Sequence, residues 1–462
     1  MRDRSGRRSE ADRDPARPLG RPIFARRSPH DREIVRLALP AFGALVAEPL
    51  YVLADTAIVG RLGTRPLAGL AVAGIVLSSA FSVFNFLAYS TTAGVARYLG
   101  SGDRRRAAEL GVDGMWLALA IGVALTVVGA ALSSVIVDAM GASARVHPYA
   151  LTYLRISLLG APLLLVTFAG TGYLRGLQDT RTTLMIAVAA NVLNLALEVL
   201  FVFGFSWGIS GSAWGTVLAQ LISAIAFAIV VARRAQAAGA SLSPRRAGIR
   251  AVAVVGGPLI VRTGSLLAVF LVATDLAARM GDRQVAAHEI AFQTFLFLAL
   301  SLDALAIAGQ AMIGRFLGAS DAEQARAAAR RMLEWGVVAG VGFGVILALA
   351  RTWFVAVFTD VAEVRTLAEQ LLLIVAVLQP LNAVIFVLDG VLIGAGDQRY
   401  LAEAMMVATF AVFAPAAALT AGLDAGIFVL WGALASWFVA RAVGVAWRYA
   451  GDAWQVTGAT RT

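Results

Sequence analysis

Three short stretches of this 462-residue chain set oxygen-bearing side chains inside apolar sequence. "LYVLADTAIVGRLG" (50–63) holds Asp55, with Tyr51 and Thr56 its other polar side chains before Arg61. "NVLNLALEVL" (191–200) holds Asn191, Asn194 and Glu198, and "SAWGTVLAQ" (212–220) holds Thr216. Asn194 and Glu198 are four apart and stack on one helix face. Glu48 and Asp55, seven apart, share another. Asp55 lies five residues before Gly60, Glu198 six before Gly204, and Thr216 eight after Gly208. At about 1.5 Å per residue, all three lie roughly 7–12 Å from one end of their helices. Carboxylate, amide and hydroxyl oxygens at one level can hold a proton between carboxylates or Na⁺ in an oxygen shell. The alternative use is a hydrogen-bonded packing network.

The second half of the chain carries its own polar residues: Arg262, Asp275, Glu289, Gln293, Asp303, Gln310, Asn382 and Asp389. Asp275 precedes Arg279 by four residues, an interfacial ion pair. Arg262 and Asp303 lie at similar depth, eleven residues after Ala251 and ten before Ile313, so a buried Arg262–Asp303 pair is expected. Asp389, in "LDGVLIGAG", joins that pair or touches substrate. Arg262, Asp303 and Asp389 therefore form a candidate second polar site.

These side chains need a lipid-embedded scaffold. The chain is 59% hydrophobic and 15% charged, with mean hydropathy +0.77, where a soluble domain carries about 25% charged residues. A carboxylate at the centre of a membrane helix costs about 2.5–3.5 kcal/mol and marks function by default. Apolar runs define twelve spans near 34–60, 67–96, 109–139, 147–174, 182–204, 209–232, 251–279, 285–313, 332–357, 362–393, 400–422 and 425–447. Pro49 should kink the first.

There is no Lys, so all 39 basic residues are Arg. With the N-terminus inside, twenty-eight of them fall in the tails and even-numbered turns, the positive-inside bias that places both termini in the cytoplasm. The net charge of +10 therefore records topology, and no loop is long enough for a nucleic-acid-binding domain. Residues 1–33 read as a disordered basic cytoplasmic tail without a signal-peptide core. With no Cys, disulfide and thiolate chemistry are excluded. His30, His147 and His288 are scattered, the last two at outer helix ends where an interfacial His is ordinary. No catalytic constellation, phosphate-cradling Gly loop or nucleotide motif occurs, so the sequence does not read as an enzyme or an ATP-driven pump.

The chain repeats itself at an offset of 218 residues. "RLGTRPLA" from Arg61 matches "RMGDRQVA" from Arg279, "RYLGSGD" from Arg97 matches "RFLGASD" from Arg315, and Pro40 and Pro162 match Pro258 and Pro380. The reading is two homologous six-helix lobes, 34–232 and 251–448, joined by a cytoplasmic linker 233–250, with a cytoplasmic tail 449–462. An even helix number makes the lobes parallel, related by a pseudo-twofold axis along the membrane normal. The fold class is thus an all-α integral membrane protein of twelve helices. Asp55 and Glu198 correspond to Ala273 and Ala416, so these carboxylates are not repeat scaffold. Asp103, Asp179, Asp321 and Asp397 recur in both halves as turn or cap residues.

The stretches "LADTAIVGRLG", "GYLRGLQDT…NVLNLALEVL", "GSAWGT" and "LDGVLIGAGD" resemble the multidrug and toxic compound extrusion (MATE) transporters, in particular their DinF-like branch, over all twelve spans. The resemblance implies cation-coupled export of bulky, often cationic, organic compounds by alternating access. It makes Asp55 the coupling carboxylate and places Asn194, Glu198 and Thr216 at the family's polar positions. Glu198 departs from the usual Asp, and Val199 from the following Pro. The expectation is an H⁺- or Na⁺-coupled antiporter in the plasma membrane, a functional monomer with small organic substrates and no cofactor, nucleic acid or catalytic residue. Na⁺, if used, would sit at Asp55, Asn194, Glu198 and Thr216. The alternative is a flippase or exporter of a lipid-linked or other metabolite, whose pyrophosphate cargo would call for a basic cavity.

Overall fold

The computed structural model describes residues 28–423 and 425–461, and the described residues form helices and turns without strands. The expectation for 1–27 lies outside them. The first-half helices are α1 (Pro29–Gly60), α2 (Thr64–Val83), α3 (Phe86–Gly100), α4 (Arg104–Ala139), α5 (His147–Leu158), α6 (Ala161–Gly176), α7 (Thr180–Val199) and α8 (Ile209–Ala237). Those of the second half are α9 (Arg246–Arg279), α10 (Asp282–Gly318), α11 (Ala322–Ala356), α12 (Ala362–Gly394), α13 (Gln398–Val407), α14 (Ala414–Gly422) and α15 (Ile427–Ala450). Eleven continuous stretches are long and apolar enough to cross a membrane, and the bent pair α5–α6 makes twelve. This is a multi-pass membrane protein.

Two boundaries differ from the sequence reading. Helix α1 begins at Pro29, not residue 34. Ser28 caps it in a reciprocal box with Asp31, and Pro29 sits where no amide donor is needed. The fourth span is broken, with α5 and α6 meeting at 49°. Gly160 and Pro162 stand at the break, whereas Pro380, the repeat mate of Pro162, lies inside continuous α12. α1 itself runs unbroken through Pro40 and Pro49. α7 continues into a π-helical segment, Leu200–Gly204, a distortion frequent at functional sites.

Asp103, Asp179 and Asp321 cap their helices as expected, each accepting from a backbone amide three residues on. Asp397 does not. It pairs with Arg448 at 2.6 Å and Arg461 at 3.0 Å. His288 is also not interfacial: it is fully buried, stacked on Phe292 and edge-on to Trp431. His147 does sit at a helix end, 3.2 Å from Asp138, and Asp275 bonds Arg279 at 2.8 Å.

The packing locates an opening. Call the face carrying both chain ends the terminal face. Away from it, each half has a separate core: Val59, Leu70, Val137, Ala150 and Ile209 in one, Ala277, Ala287, Val355, Val364 and Ile427 in the other. Toward the terminal face one core is shared, with Ile34, Leu37 and Phe86 packed among Ala311–Ile313, Val391 and Leu392. The halves therefore close on each other at the terminal face and separate toward the opposite one.

Candidate functional site

The first-half stretches converge near the open face. α1 packs on α7, and α7 on α8. Gly215 allows the last contact, since a Cβ there would sit 3.1 Å from the Glu198 amide nitrogen. Asp55, Asn194 and Glu198 are all buried, Glu198 completely. Ser212 donates to Asp55 Oδ1 at 2.7 Å. The Tyr51 hydroxyl lies 2.9 Å from Thr216 Oγ1, and Asn191 holds the Ala47 carbonyl at 3.0 Å. Glu198 lies close enough to Asp55 for their charges to interact.

One feature of this cluster governs its chemistry. Asn194 Oδ1 and both Glu198 oxygens find no donor among the described residues. Buried polar atoms are nearly always satisfied, so three unpartnered oxygens in one cluster set it apart from an ordinary packing network. Two buried carboxyl groups this close repel each other when both are charged. The arrangement brings together all four expected residues, Asp55, Asn194, Glu198 and Thr216. It adds Ser212, Tyr51 and Tyr153, the last lying beside Ser212 and Thr216. Ser212 stands one helical turn before Thr216, a same-face signal legible in "SAWGT". Glu48 shares the face of Asp55 in sequence but is exposed and joins no side-chain bond among the described residues.

The second-half site is rearranged. Arg262 bonds Asp389, not Asp303. Arg441, which the sequence reading passed over, reaches the same Asp389 oxygen at 3.1 Å and lies over the Trp437 ring. Asp303 makes no ion pair within the described residues. Depth along a helix matched Arg262 to Asp303, but the face each presents decides contact, and Arg262 faces α12 and α15.

The sequence model of the MatE family matches residues 40–200 and again 258–419. The chain belongs to the MatE family. The two matches begin 218 residues apart, 258 less 40, which is the repeat offset read from the sequence. Among similar proteins, the chloroplastic Protein DETOXIFICATION 44 of Arabidopsis thaliana is 34% identical, covering 90% of this chain and 81% of that one. The DNA damage-inducible protein F of Escherichia coli K12 is 29% identical, over 82% and 83%. The fold matches a solved structure described as the outward-facing conformation of a multidrug resistance MATE family transporter of the MOP superfamily. Its TM-score is 0.83 at 21% identity, covering 91% of this chain and 96% of that one. As a MatE protein the chain is a membrane transporter and not an enzyme.

Proposed function

We propose that this MatE protein is a proton-coupled antiporter exporting amphipathic organic compounds, cations among them, across the plasma membrane by alternating access. The observation that carries the reading is the burial of Asp55 and Glu198 side by side, with both Glu198 oxygens lacking a donor among the described residues. A proton entering from the open face satisfies the pair. Deprotonation toward the other face restores negative charge that draws cargo back into the cleft. Coupling then needs only that proton and cargo favour opposite states of the same carboxylates. The Arg bias supports placing the terminal face in the cytoplasm, so the cleft opens outward. Two six-helix lobes, 34–232 and 251–448, rocking about their shared core would carry out the exchange as a monomer. Na⁺ in the oxygen shell of Asp55, Asn194, Glu198 and Thr216 is the competing coupling ion.

A second reading, export of an anionic or lipid-linked metabolite, is favoured by the guanidinium groups of Arg262 and Arg441 inside the protein. The test is antiport in proteoliposomes. A cationic dye added to vesicles holding a proton gradient should release protons through the protein at fixed Na⁺. Dye movement that follows the Na⁺ gradient and ignores the proton gradient would assign the site to Na⁺.

A further inference from the structure

Near the closed end of the cleft stands a buried arginine that the coupling reading does not use. Arg175 is on the last turn of α6, is 9% exposed, and forms no side-chain hydrogen bond or ion pair with any described residue; its Nε is fully enclosed. A guanidinium carries five donors and a permanent charge. Nε has no acceptor, while the terminal nitrogens keep solvent access, so the open end of the fork is free to take an anion.

Its surroundings supply an unbalanced charge. Arg175 lies within coulombic reach of Asp303 and Tyr89, and Tyr89 in turn is within reach of Arg262 and Asp389. Arg262 and Arg441 both spend their bonds on the single carboxylate Asp389, and Arg262 Nε is left without an acceptor. Three guanidinium groups against two carboxylates leave a formal +1 between the halves, since Arg175 and Tyr89 belong to the first and the rest to the second. Asp303 forms no ion pair with Arg175 or with any other described residue. The site is separate from the carboxyl pair. Asp389 is five residues from the terminal-face end of α12, whereas Asp55 is five from the opposite end of α1.

We propose that Arg175 anchors an anion subsite, which takes the acid group of an amphipathic substrate while the carboxyl pair toward the open face handles the proton. This rests on the transport reading and adds to its substrate class compounds bearing a carboxylate or phosphate, zwitterions included. The planar fork of Arg175 suits either acid.

The test uses the full chain in detergent with no gradient, so that binding is separated from coupling. Calorimetry is run with naphthoate, naphthyl phosphate and naphthylmethylammonium, which share one ring system. The wild type should bind an acid more tightly than the amine, and the better acid distinguishes a carboxylate from a phosphate substrate. Arg175→Gln should lower the acid-to-amine affinity ratio by about tenfold or more. Arg175→Lys should keep most of it, and Asp303→Asn should tighten acid binding by removing a repelling charge. A photoreactive aryl-azide carboxylate on the wild-type chain requires no variant and should label residues 172–178 or 438–444. An amine preference in the wild type, an unchanged ratio in Arg175→Gln, or labelling confined elsewhere would overturn the subsite. Acid binding that persists in a chain showing no proton-driven export would leave the subsite standing and remove the proton-coupling reading instead.

Discussion

At the scale of single residues, the behaviour of Glu198 follows from what surrounds its two oxygens. They are buried with no donor, and Asp55 beside them already accepts from Ser212. Glu198→Gln supplies a permanent amide donor to Asp55. The variant should fold and melt at or above the wild-type temperature, while gradient-driven efflux falls by about tenfold, within the roughly 5–150-fold of common coupling energies. Melting in detergent and efflux at matched protein level check both halves. The second-half cluster predicts the reverse balance. Asp389→Asn strands two buried guanidinium groups and should cost about 3–5 kcal/mol. Adding Arg441→Gln should recover part of the lost melting temperature, and simply additive losses would show the two are not partners. The sequence made the first cluster readable, because Gly60, Gly204 and Gly208 mark helix ends and the rise per residue is fixed. It did not reveal the Arg262–Asp389–Arg441 group, since height along a helix carries no information about which neighbour it faces. Arg175 was hidden for another reason: in "GYLRGLQD" it reads as part of a positively charged turn.

At the scale of elements, the closed end is a crossing of α3 with α10. A Cβ on Gly100 would fall 2.0 Å from the Arg315 carbonyl oxygen, and one on Gly318 2.1 Å from that of Arg97. These contacts are the same contact seen from each half, since 318 less 100 is the repeat offset. The C-terminal segment lies over the crossing: Arg97 donates to the carbonyls of Val456 and Gly458 at 2.8 Å each, and Trp454 is fully buried. Gly318→Val or Gly100→Val should therefore hold the terminal face apart. The chain has no Cys, so cysteines placed at exposed Ser101 and Ser320 can carry spin labels without background. Their separation should lengthen by several ångströms in either valine variant, and an unchanged separation would contradict the crossing as the closure. Repeated Gly, Pro and Asp turns made the twelve spans readable. The break between α5 and α6 was not, because Pro162 and Pro380 look alike in the repeat and only Gly160 beside the first lets the chain bend.

At the scale of the whole molecule, the separate outer cores and shared inner core set apart two unlike polar sites, a carboxyl pair buried in the first half toward the open face and a guanidinium cluster toward the closed one. Orientation is testable on its own. A cytoplasm-active reporter fused after residue 462 should be active and one in the 140–146 turn inactive, as the distribution of Arg requires. The reverse at both positions would turn the cleft inward. We propose that proton binding at Asp55 drives export. The most direct measurement is proton-driven efflux of a fluorescent amphipathic cation from proteoliposomes containing Asp55→Asn, at matched protein level. The variant should insert, fold and still bind the dye, with gradient-driven efflux reduced to the level of empty vesicles. Efflux at the wild-type rate in Asp55→Asn would contradict it and move the coupling site to Asp303 and Asp389.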